Sequence, residues 1–212
     1  MVGRRGGKND VKKIEIQRRQ RLLDGFFKVD EITLRHELAD GRMSPPLRRL
    51  NLDRGNGVAA LLYNRTTQKI ILVRQFRYPA SLEGPGWILE IVAGMHEAGE
   101  VPEETMRREI LEETGYEAEH LEPISSFYLT PGGSSEKIHL FYAETSAPQR
   151  RSAGGGVREE GEDIEVVELP LERAWQALDQ NEIVDAKTLV ALLWCRRKFA
   201  AKQPQGRLLP EP

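Results

Sequence analysis

The stretch GMHEAGEVPEETMRREILEETGY, residues 94–116, constrains this chain more than any other. Pro102 suits the first position of a helix, and the two glutamates after it favour the positive end of the helix dipole. Gly115 is a typical residue just beyond a last helical turn. The stretch is therefore predicted to form a helix that begins near Pro102 and ends before Gly115.

Within that helix, Glu109, Glu112 and Glu113 lie at positions i, i+3 and i+4, so three carboxylates share one face. Like charges at this spacing repel each other unless a hard cation such as Mg²⁺ neutralises them. The alternative is a solvated acidic helix paired with Arg107 and Arg108. The residues alone leave both interpretations open.

The wider spacing decides between them. Gly94 is followed after five residues by Glu100, and after seven more by the run REILEETG, residues 108–115. This pattern resembles the Nudix box at every fixed polar and glycine position. A chance match at a given start is on the order of one in 10⁸ at average residue frequencies. Tyr116 departs from the branched aliphatic residue usual in the family, a change that concerns packing under the helix.

Composition limits the other possibilities. The chain has 212 residues and 39% hydrophobic content, which suits one catalytic domain with modest extensions. Its net charge of -2 favours neither nucleic-acid nor membrane binding. Cys195 is the only cysteine, which excludes an intramolecular disulfide and predicts a plain buried role. With no apolar run of membrane-spanning length and no signal core, we expect a cytoplasmic protein.

The chain is predicted to divide into four parts. Residues 1–10 and 201–212 are predicted to be disordered tails. Residues 11–53 alternate apolar and polar side chains in pieces and are predicted to form an antiparallel strand pair. The resemblance to the Nudix family implies that this extension contributes to dimerisation and substrate contacts. Residues 54–200 are predicted to be the catalytic domain.

Inside that domain, apolar runs bounded by turn residues predict strands, and apolar residues at helical spacing predict two C-terminal helices. The glycine-rich run 149–163 is predicted to be a long flexible loop of functional importance. Core positions on the two helices are predicted at Trp175, Leu178, Leu189, Leu192, Leu193 and Phe199. The strands are predicted at 58–63, 70–76, 87–93, 124–129, 137–143 and 164–169, and the helices at 171–180 and 186–200.

The resemblance to the Nudix family implies an α/β (α+β) fold, an α/β/α sandwich with a mixed central sheet, here with an N-terminal antiparallel strand extension. It also implies an enzyme, a pyrophosphatase dependent on Mg²⁺, with Mn²⁺ as a possible substitute. Five stretches place the chain near the ADP-ribose pyrophosphatases and GDP-mannose hydrolases, namely LDRGNGVAALLYN, VRQFR, TPGGSSEKIHLFYAE, SAGGGVREEGEDIEVVELP and EIVDAKTL. Pro131 lies 16 residues beyond Gly115, where ADP-sugar hydrolases carry a proline, but GDP-mannose hydrolases share it.

The resemblance also implies the metal ligands. They would be the backbone carbonyl of Ala93 and the carboxylates of Glu109, Glu112, Glu113 and Glu162, the last on the loop before the final strand. In the family pattern, Glu100 and Arg108 pair with each other and fix the loop against the helix. Together with Gly94 and Gly115 they are the structural residues of the box.

The expected reaction is attack of water on one phosphorus of the pyrophosphate, assisted by two or three metal ions. Glu113 is predicted to be a catalytic residue as well as a metal ligand. The resemblance offers Glu162 or Glu136 as the general base, with Glu162 favoured because a mobile loop can close over bound substrate. Glu136 is also implied as a substrate contact.

Further substrate contacts are implied at Arg77, Arg48, Arg49 and Lys187, whose cationic groups suit phosphate recognition. Phe26 stands where the GDP-mannose hydrolases tend to carry a tyrosine, so base stacking is retained and a hydroxyl contact is lost. Leu50 stands where they have an acid after the basic pair.

The implied substrate is a nucleoside diphosphate sugar, ADP-ribose or GDP-mannose, cleaved to a nucleoside monophosphate and a sugar phosphate. The alternatives are another linked diphosphate, such as NADH or a dinucleoside polyphosphate, and a nucleotide-sugar sensor without activity. The family's N-terminal strands reach a second subunit, so a homodimer with swapped N-terminal segments is predicted.

Overall fold

The structure is a computed structural model that describes residues 12–97, 99–157 and 161–202. The described chain forms two compact units. The N-terminal unit contains the described residues up to Arg54 together with Thr130–Glu136, and the larger unit contains Gly55–Leu129 and the described residues from Lys137 onward. Of the two predicted tails, residues 1–10 and 203–212 lie outside the described residues. Ala201 and Lys202 belong to the last helix, so the start predicted for the C-terminal tail is wrong by two residues.

The N-terminal unit is a three-stranded antiparallel sheet rather than the predicted strand pair. Its strands are β1 (Ile14–Asp24), β2 (Lys28–His36) and β3 (Leu47–Asp53), in the order β1-β2-β3. The segment predicted as one piece is divided by the turn at Gly25, whose N–H donates to the carbonyl of Phe27 at 3.2 Å. Alternating apolar residues indicated strands here, but the turn residues did not mark the division.

A mixed seven-stranded sheet forms the centre of the larger unit, with a main path of β10-β5-β4-β9-β8. Strand β6 pairs with β5, and β7 pairs with β4. The β4–β9 pair is parallel and the other pairs are antiparallel. The strands are β4 (Asn56–Asn64), β5 (Lys69–Phe76), β6 (Trp87–Glu90), β7 (Val92–His96), β8 (His120–Tyr128), β9 (Lys137–Thr145) and β10 (Ile164–Pro170).

Helices cover both faces of this sheet. They are α1 (Pro102–Thr114), α2 (Leu171–Asp179) and α3 (Ala186–Lys202). Successive residues of β4 point to opposite faces, so Leu61 joins the core under α2 and α3 while Leu62 joins the core under α1. The predicted α/β/α sandwich with a mixed sheet is confirmed.

Two details differ from the prediction. The strand predicted at 87–93 divides at Ile91 into β6 and β7, which pair with different neighbours. Leu193 is 57% exposed and not part of the core, because it lies on the outer face of α3. Leu178, Leu192 and Cys195 are buried as predicted. No helix in the described ranges is long and apolar enough to cross a membrane.

Candidate functional site

The acidic helix α1 begins and ends as its sequence predicts. Pro102 occupies the first turn after Val101, and Gly115 ends the helix with a φ of +74°. A side chain at Gly115 would collide with the backbone of Ser152, which leaves no room for any residue but glycine. The helix therefore ends against the glycine-rich loop that precedes β10.

Two carboxylates of α1 turn towards β7. Glu109 lies so close to Gly94 that a Cβ there would overlap its carboxylate, which explains the glycine that opens the box. Glu113 is 2% exposed, and its Oε2 is buried without a hydrogen-bond partner among the described residues. A buried acceptor left unpaired is costly unless another group binds to it.

Burial raises the pKa of Glu113 well above its ordinary value, and the charges of Glu109 and Glu162 raise it further. The backbone amide of Ala93 and the charge of Arg77 oppose that rise. The pKa of Glu109 is also raised, chiefly by burial, with Arg108 lowering it. Glu109 and Glu113 of α1 and Glu162 of the loop before β10 have thus been brought close enough for their charges to interact.

Glu162 reaches this group from the described end of that loop. Its Oε2 accepts a hydrogen bond from the backbone N–H of Val157 at 2.8 Å. The loop was predicted to be flexible, but its described part, up to Val157, is bonded to the C-terminal end of α1. Residues 158–160 of the predicted loop lie outside the described residues.

The predicted pair of Glu100 with Arg108 is not formed. Glu100 accepts hydrogen bonds from the backbone N–H of Glu97 at 3.1 Å and from the hydroxyl of Thr105 at 2.9 Å. Arg108 binds its own helix neighbours instead, Glu109 at 2.9 Å and Glu112 at 3.0 Å. The reason is local, since i,i+4 side chains on a helix meet without any loop having to move.

The residues fit a divalent cation, although no ready-made cluster is present. In the part of the chain that the structure describes, no three acidic, histidine or cysteine side chains yet form a group able to hold a metal ion. Arg108 holds Glu109 and Glu112, and Val157 holds Glu162. The unpaired buried Oε2 of Glu113 and the all-oxygen donor set are those of a hard-cation site.

A second cluster joins two of the predicted substrate contacts. Arg77 binds Glu90 through Nε at 2.9 Å and Nη2 at 3.3 Å, and Lys187 lies 3.5 Å from the same carboxylate. Lys187 also binds Asp185 at 2.6 Å. Glu90 is 3% exposed, so its charge is balanced by these two cations.

Hydrogen bonds connect the start of α3 to the break between β6 and β7. They bring Lys187 of α3 close to Glu90 of β6. Asp185 accepts hydrogen bonds from the backbone N–H and the hydroxyl of Thr188 at 2.9 and 2.7 Å. The hydroxyl of Thr188 accepts one from the N–H of Ile91 at 2.8 Å. Sequence reasoning missed Glu90, Asp185 and Thr188, although Asp185 three residues before Thr188 is a recognisable helix start.

The other predicted contacts lie in the N-terminal unit. Glu136 is 7% exposed and lies 3.4 Å from Nε of Arg54. Arg48 forms an ion pair with Glu31, and Arg49 is exposed on the same strand. The side chain of Phe26 is 75% exposed and lies edge-on to Phe27, with ring centroids 5.0 Å apart. The exposed rings suit stacking on a planar ligand.

Tyr116, the departure from the box pattern, has a specific environment. It is 3% exposed, its hydroxyl donates to Glu168 at 2.9 Å, and its ring lies under Arg150 at 5.4 Å. Burial and then Glu168 raise the pKa of the phenol, so it remains a donor. The tyrosine therefore links the end of the box to β10 and to the loop before it.

Comparison with known proteins agrees with this arrangement. The profile of the NUDIX domain matches residues 53–201, more than half of the chain. This chain belongs to the Nudix family. The predicted membership, fold and hydrolase class are confirmed.

Relatives extend along most of the chain. A GDP-mannose pyrophosphatase of Citrobacter koseri is 42% identical over 182 residues, which are 85% of this chain and 93% of that protein. One of Escherichia coli O1:K1 is 42% identical over 173 residues, 81% of this chain and 88% of that protein. A crystal structure of an ADP compounds hydrolase matches 95% of this chain and 100% of that one, with a TM-score of 0.69. At 21% identity, the structural match supports the fold alone.

Proposed function

We propose that this Nudix protein hydrolyses the pyrophosphate of a nucleoside diphosphate sugar, with GDP-mannose as the first candidate. The observation that carries the proposal is the 42% identity to GDP-mannose pyrophosphatases over most of both chains. The products would be a nucleoside monophosphate and a sugar phosphate. ADP-ribose is the second candidate, because Pro131 occupies the position associated with ADP-sugar hydrolysis.

The metal site supports hydrolysis over mere binding. Nudix hydrolases generally use divalent metal ions. We infer that Mg²⁺, or Mn²⁺ in its place, is held by Glu109, Glu112, Glu113 and Glu162 with the Ala93 carbonyl. The bound ion would offset the charge of the diphosphate and lower the pKa of the attacking water. A sensor without activity would not need this set of opposed, partly buried carboxylates.

The chain's own groups would bind and orient the substrate. Arg77 is anchored by Glu90 through Nε and Nη2, so Nη1 lies outside that pair and can donate to a phosphate oxygen. Lys187 adds a second cation fixed to the same carboxylate. From the N-terminal unit, Phe26 would stack on the base, and Arg48, Arg49 and Glu136 would contact the sugar and phosphates.

The general base is tested by comparing two variants. Glu162→Gln should lower kcat by about 10²–10⁴-fold with little change in KM. Glu136→Gln should raise KM and change kcat much less, because it removes only a substrate contact. The reverse result in steady-state kinetics would make Glu136 the base.

The proposed homodimer with swapped N-terminal segments rests on the N-terminal sheet. This small sheet exposes many apolar side chains, more than is usual unless another protein surface covers them. Ile16→Glu should therefore convert a dimer into a monomer in light scattering. Gln20→Glu should not, because Ile16 pairs with Leu34 and Gln20 pairs with Glu31, on the opposite face of the sheet. A wild-type protein that is monomeric and fully active would contradict the dimer. The exposed side chains are Ile14, Ile16, Leu22, Leu23, Phe26, Phe27 and Leu50.

The substrate proposal is tested with a panel of GDP-mannose, ADP-ribose, NADH and a dinucleoside polyphosphate. Each is incubated with enzyme and Mg²⁺ or Mn²⁺, and the products are separated by chromatography. We expect the highest kcat/KM with GDP-mannose, release of GMP and mannose phosphate, and no turnover after removal of divalent ions. Faster cleavage of NADH or the polyphosphate would overturn the proposal. The cytoplasmic location expected from the sequence stays a prediction.

A further inference from the structure

The loop before β10 contains three consecutive glycines in conformations that other residues rarely adopt. Gly154, Gly155 and Gly156 have φ angles of +73°, +115° and +78°. We call residues Ser152–Val157 the glycine strap. Three successive residues with positive φ favour glycine at each position, because a Cβ disfavours positive φ.

One side of the strap binds the end of the acidic helix. The N–H groups of Gly155 and Gly156 donate to the carbonyls of Glu113 at 2.9 Å and Glu112 at 3.2 Å. The last carbonyls of a helix have no partner within the helix, so the strap satisfies two of them. A Cβ at Gly154 would lie 2.5 Å from the carbonyl oxygen of Glu113, which shows how closely the two backbones approach.

The other side of the strap holds Glu162. Val157 donates to the Glu162 carboxylate at 2.8 Å, and the N–H of Ile164 donates to the carbonyl of Gly155 at 3.3 Å. A Cβ at Gly156 would lie 2.5 Å from Oε2 of Glu162, 2.8 Å from its Cβ and 2.9 Å from Cδ1 of Ile164. The carboxylate therefore occupies the space that the missing side chain leaves.

We infer that Gly156 is a positioning residue, which sets the Glu162 carboxylate against Glu109 and Glu113. Gly155 and Gly156 of the strap are bonded to the backbone of Glu113 and Glu112, and the next residue, Val157, is bonded to Glu162. A shift of the strap would therefore move Glu162 relative to the proposed metal ligands on α1. The inference rests on the proposed function, in which Glu162 binds the metal or accepts the proton.

The structure offers a matched pair of variants as the test. Gly155→Ala places a side chain at a φ of +115°, a conformation worse for an L-residue than the +78° of Gly156, but no atom lies closer than 3.7 Å to its Cβ. Gly156→Ala is strained as well, at a φ of +78°, and its Cβ in addition displaces Glu162 and Cδ1 of Ile164. Both variants therefore strain the backbone, but only Gly156→Ala displaces the carboxylate.

We expect both variants to lose stability and only one of them to lose function. Gly155→Ala should lower the melting temperature and keep kcat within about threefold of wild type. Gly156→Ala should lose at least about 10-fold in kcat and in Mn²⁺ affinity, measured by electron paramagnetic resonance. Hydrogen exchange at the Val157 amide, measured without metal, should accelerate in Gly156→Ala because the acceptor has moved.

Three results would overturn the inference. A loss of kcat in Gly155→Ala as large as the loss in Gly156→Ala would make the strap merely structural. Unchanged exchange at Val157 in Gly156→Ala would show that Glu162 is not displaced. A fully active Glu162→Gln would refute the role of Glu162 in the proposed function, whereas an inactive Glu162→Gln with normal Gly156→Ala would refute only the positioning.

Discussion

Replacement of Glu113 with glutamine should lower kcat by at least about 100-fold, because changes to groups that merely support metal ligands already cost 10–100-fold. Glutamine has nearly the same shape but lacks the charge that would hold a cation. The side chain is buried between α1 and β7, and its Oε2 has no hydrogen-bond partner among the described residues. Because Glu113 is buried, no water molecule can replace its side chain as the proposed metal ligand.

The same variant should separate catalysis from folding. Because the native pKa of Glu113 is raised above 4.5, the stability linked to its protonated form is complete below about pH 4.5 and is lost as pH rises through the native pKa. In metal-free protein, Glu113→Gln should therefore gain stability relative to wild type as pH rises from 4.5 to 8. Melting temperatures across that range, with and without Mg²⁺, provide the measurement.

Wild-type protein should regain stability when Mg²⁺ is added at pH 8, because binding to the native state alone shifts the folding equilibrium. Glu113→Gln should respond much less. A variant that keeps the wild-type rate, or that melts lower than wild type by the same amount at every pH, would contradict the assignment of Glu113 as a metal ligand.

Replacement of Glu90 with glutamine should lower kcat/KM by about 10–100-fold, with most of the loss in KM, because Glu90 orients two groups that are proposed to bind phosphate. Arg77 would keep its charge but lose its two-point anchor, and Lys187 would retain only Asp185. Arg77→Lys should produce a similar loss. The variant that carries both changes should lose less kcat/KM than the product of the two single losses, since each change removes the same alignment of the position 77 side chain.

Glu165→Gln is the matched control, because Glu165 binds Arg74 at 2.9 Å on the same sheet but is exposed. That variant should change kcat/KM by less than about twofold. Glu90→Gln should also cost about 1–3 kcal/mol of stability, below the loss for a fully buried pair because Arg77 is 43% exposed. Additive kinetic losses for Glu90 and Arg77 would contradict the shared role.

Much of the active site was predictable from local patterns. The helix over Pro102–Thr114 follows from the proline, the two early glutamates and Gly115, all of which act within a few residues along the chain. The alternation of apolar residues predicted β4 and β5 for the same reason. The spacing of the box then indicated which carboxylates lie on one helical face.

The partners of charged side chains were not predictable in the same way. Arg108 was expected to bind Glu100, but an i,i+4 neighbour was closer. Glu90 carried no signal in the sequence, because its importance depends on Arg77 and Lys187 arriving from β5 and α3. The division of 87–93 at Ile91 likewise depends on a hydrogen bond to Thr188, 97 residues away.

The sequence by itself determined the family, the acidic helix and the residues able to bind a cation, because these depend on spacing along one helix. Only the tertiary structure decided which buried oxygen is left unpaired and how a loop predicted to be flexible is bonded to the end of α1. The unpaired oxygen and the bonding of the loop both depend on burial and on backbone contacts between segments that are far apart in the chain. A local sequence pattern contains no information about such contacts.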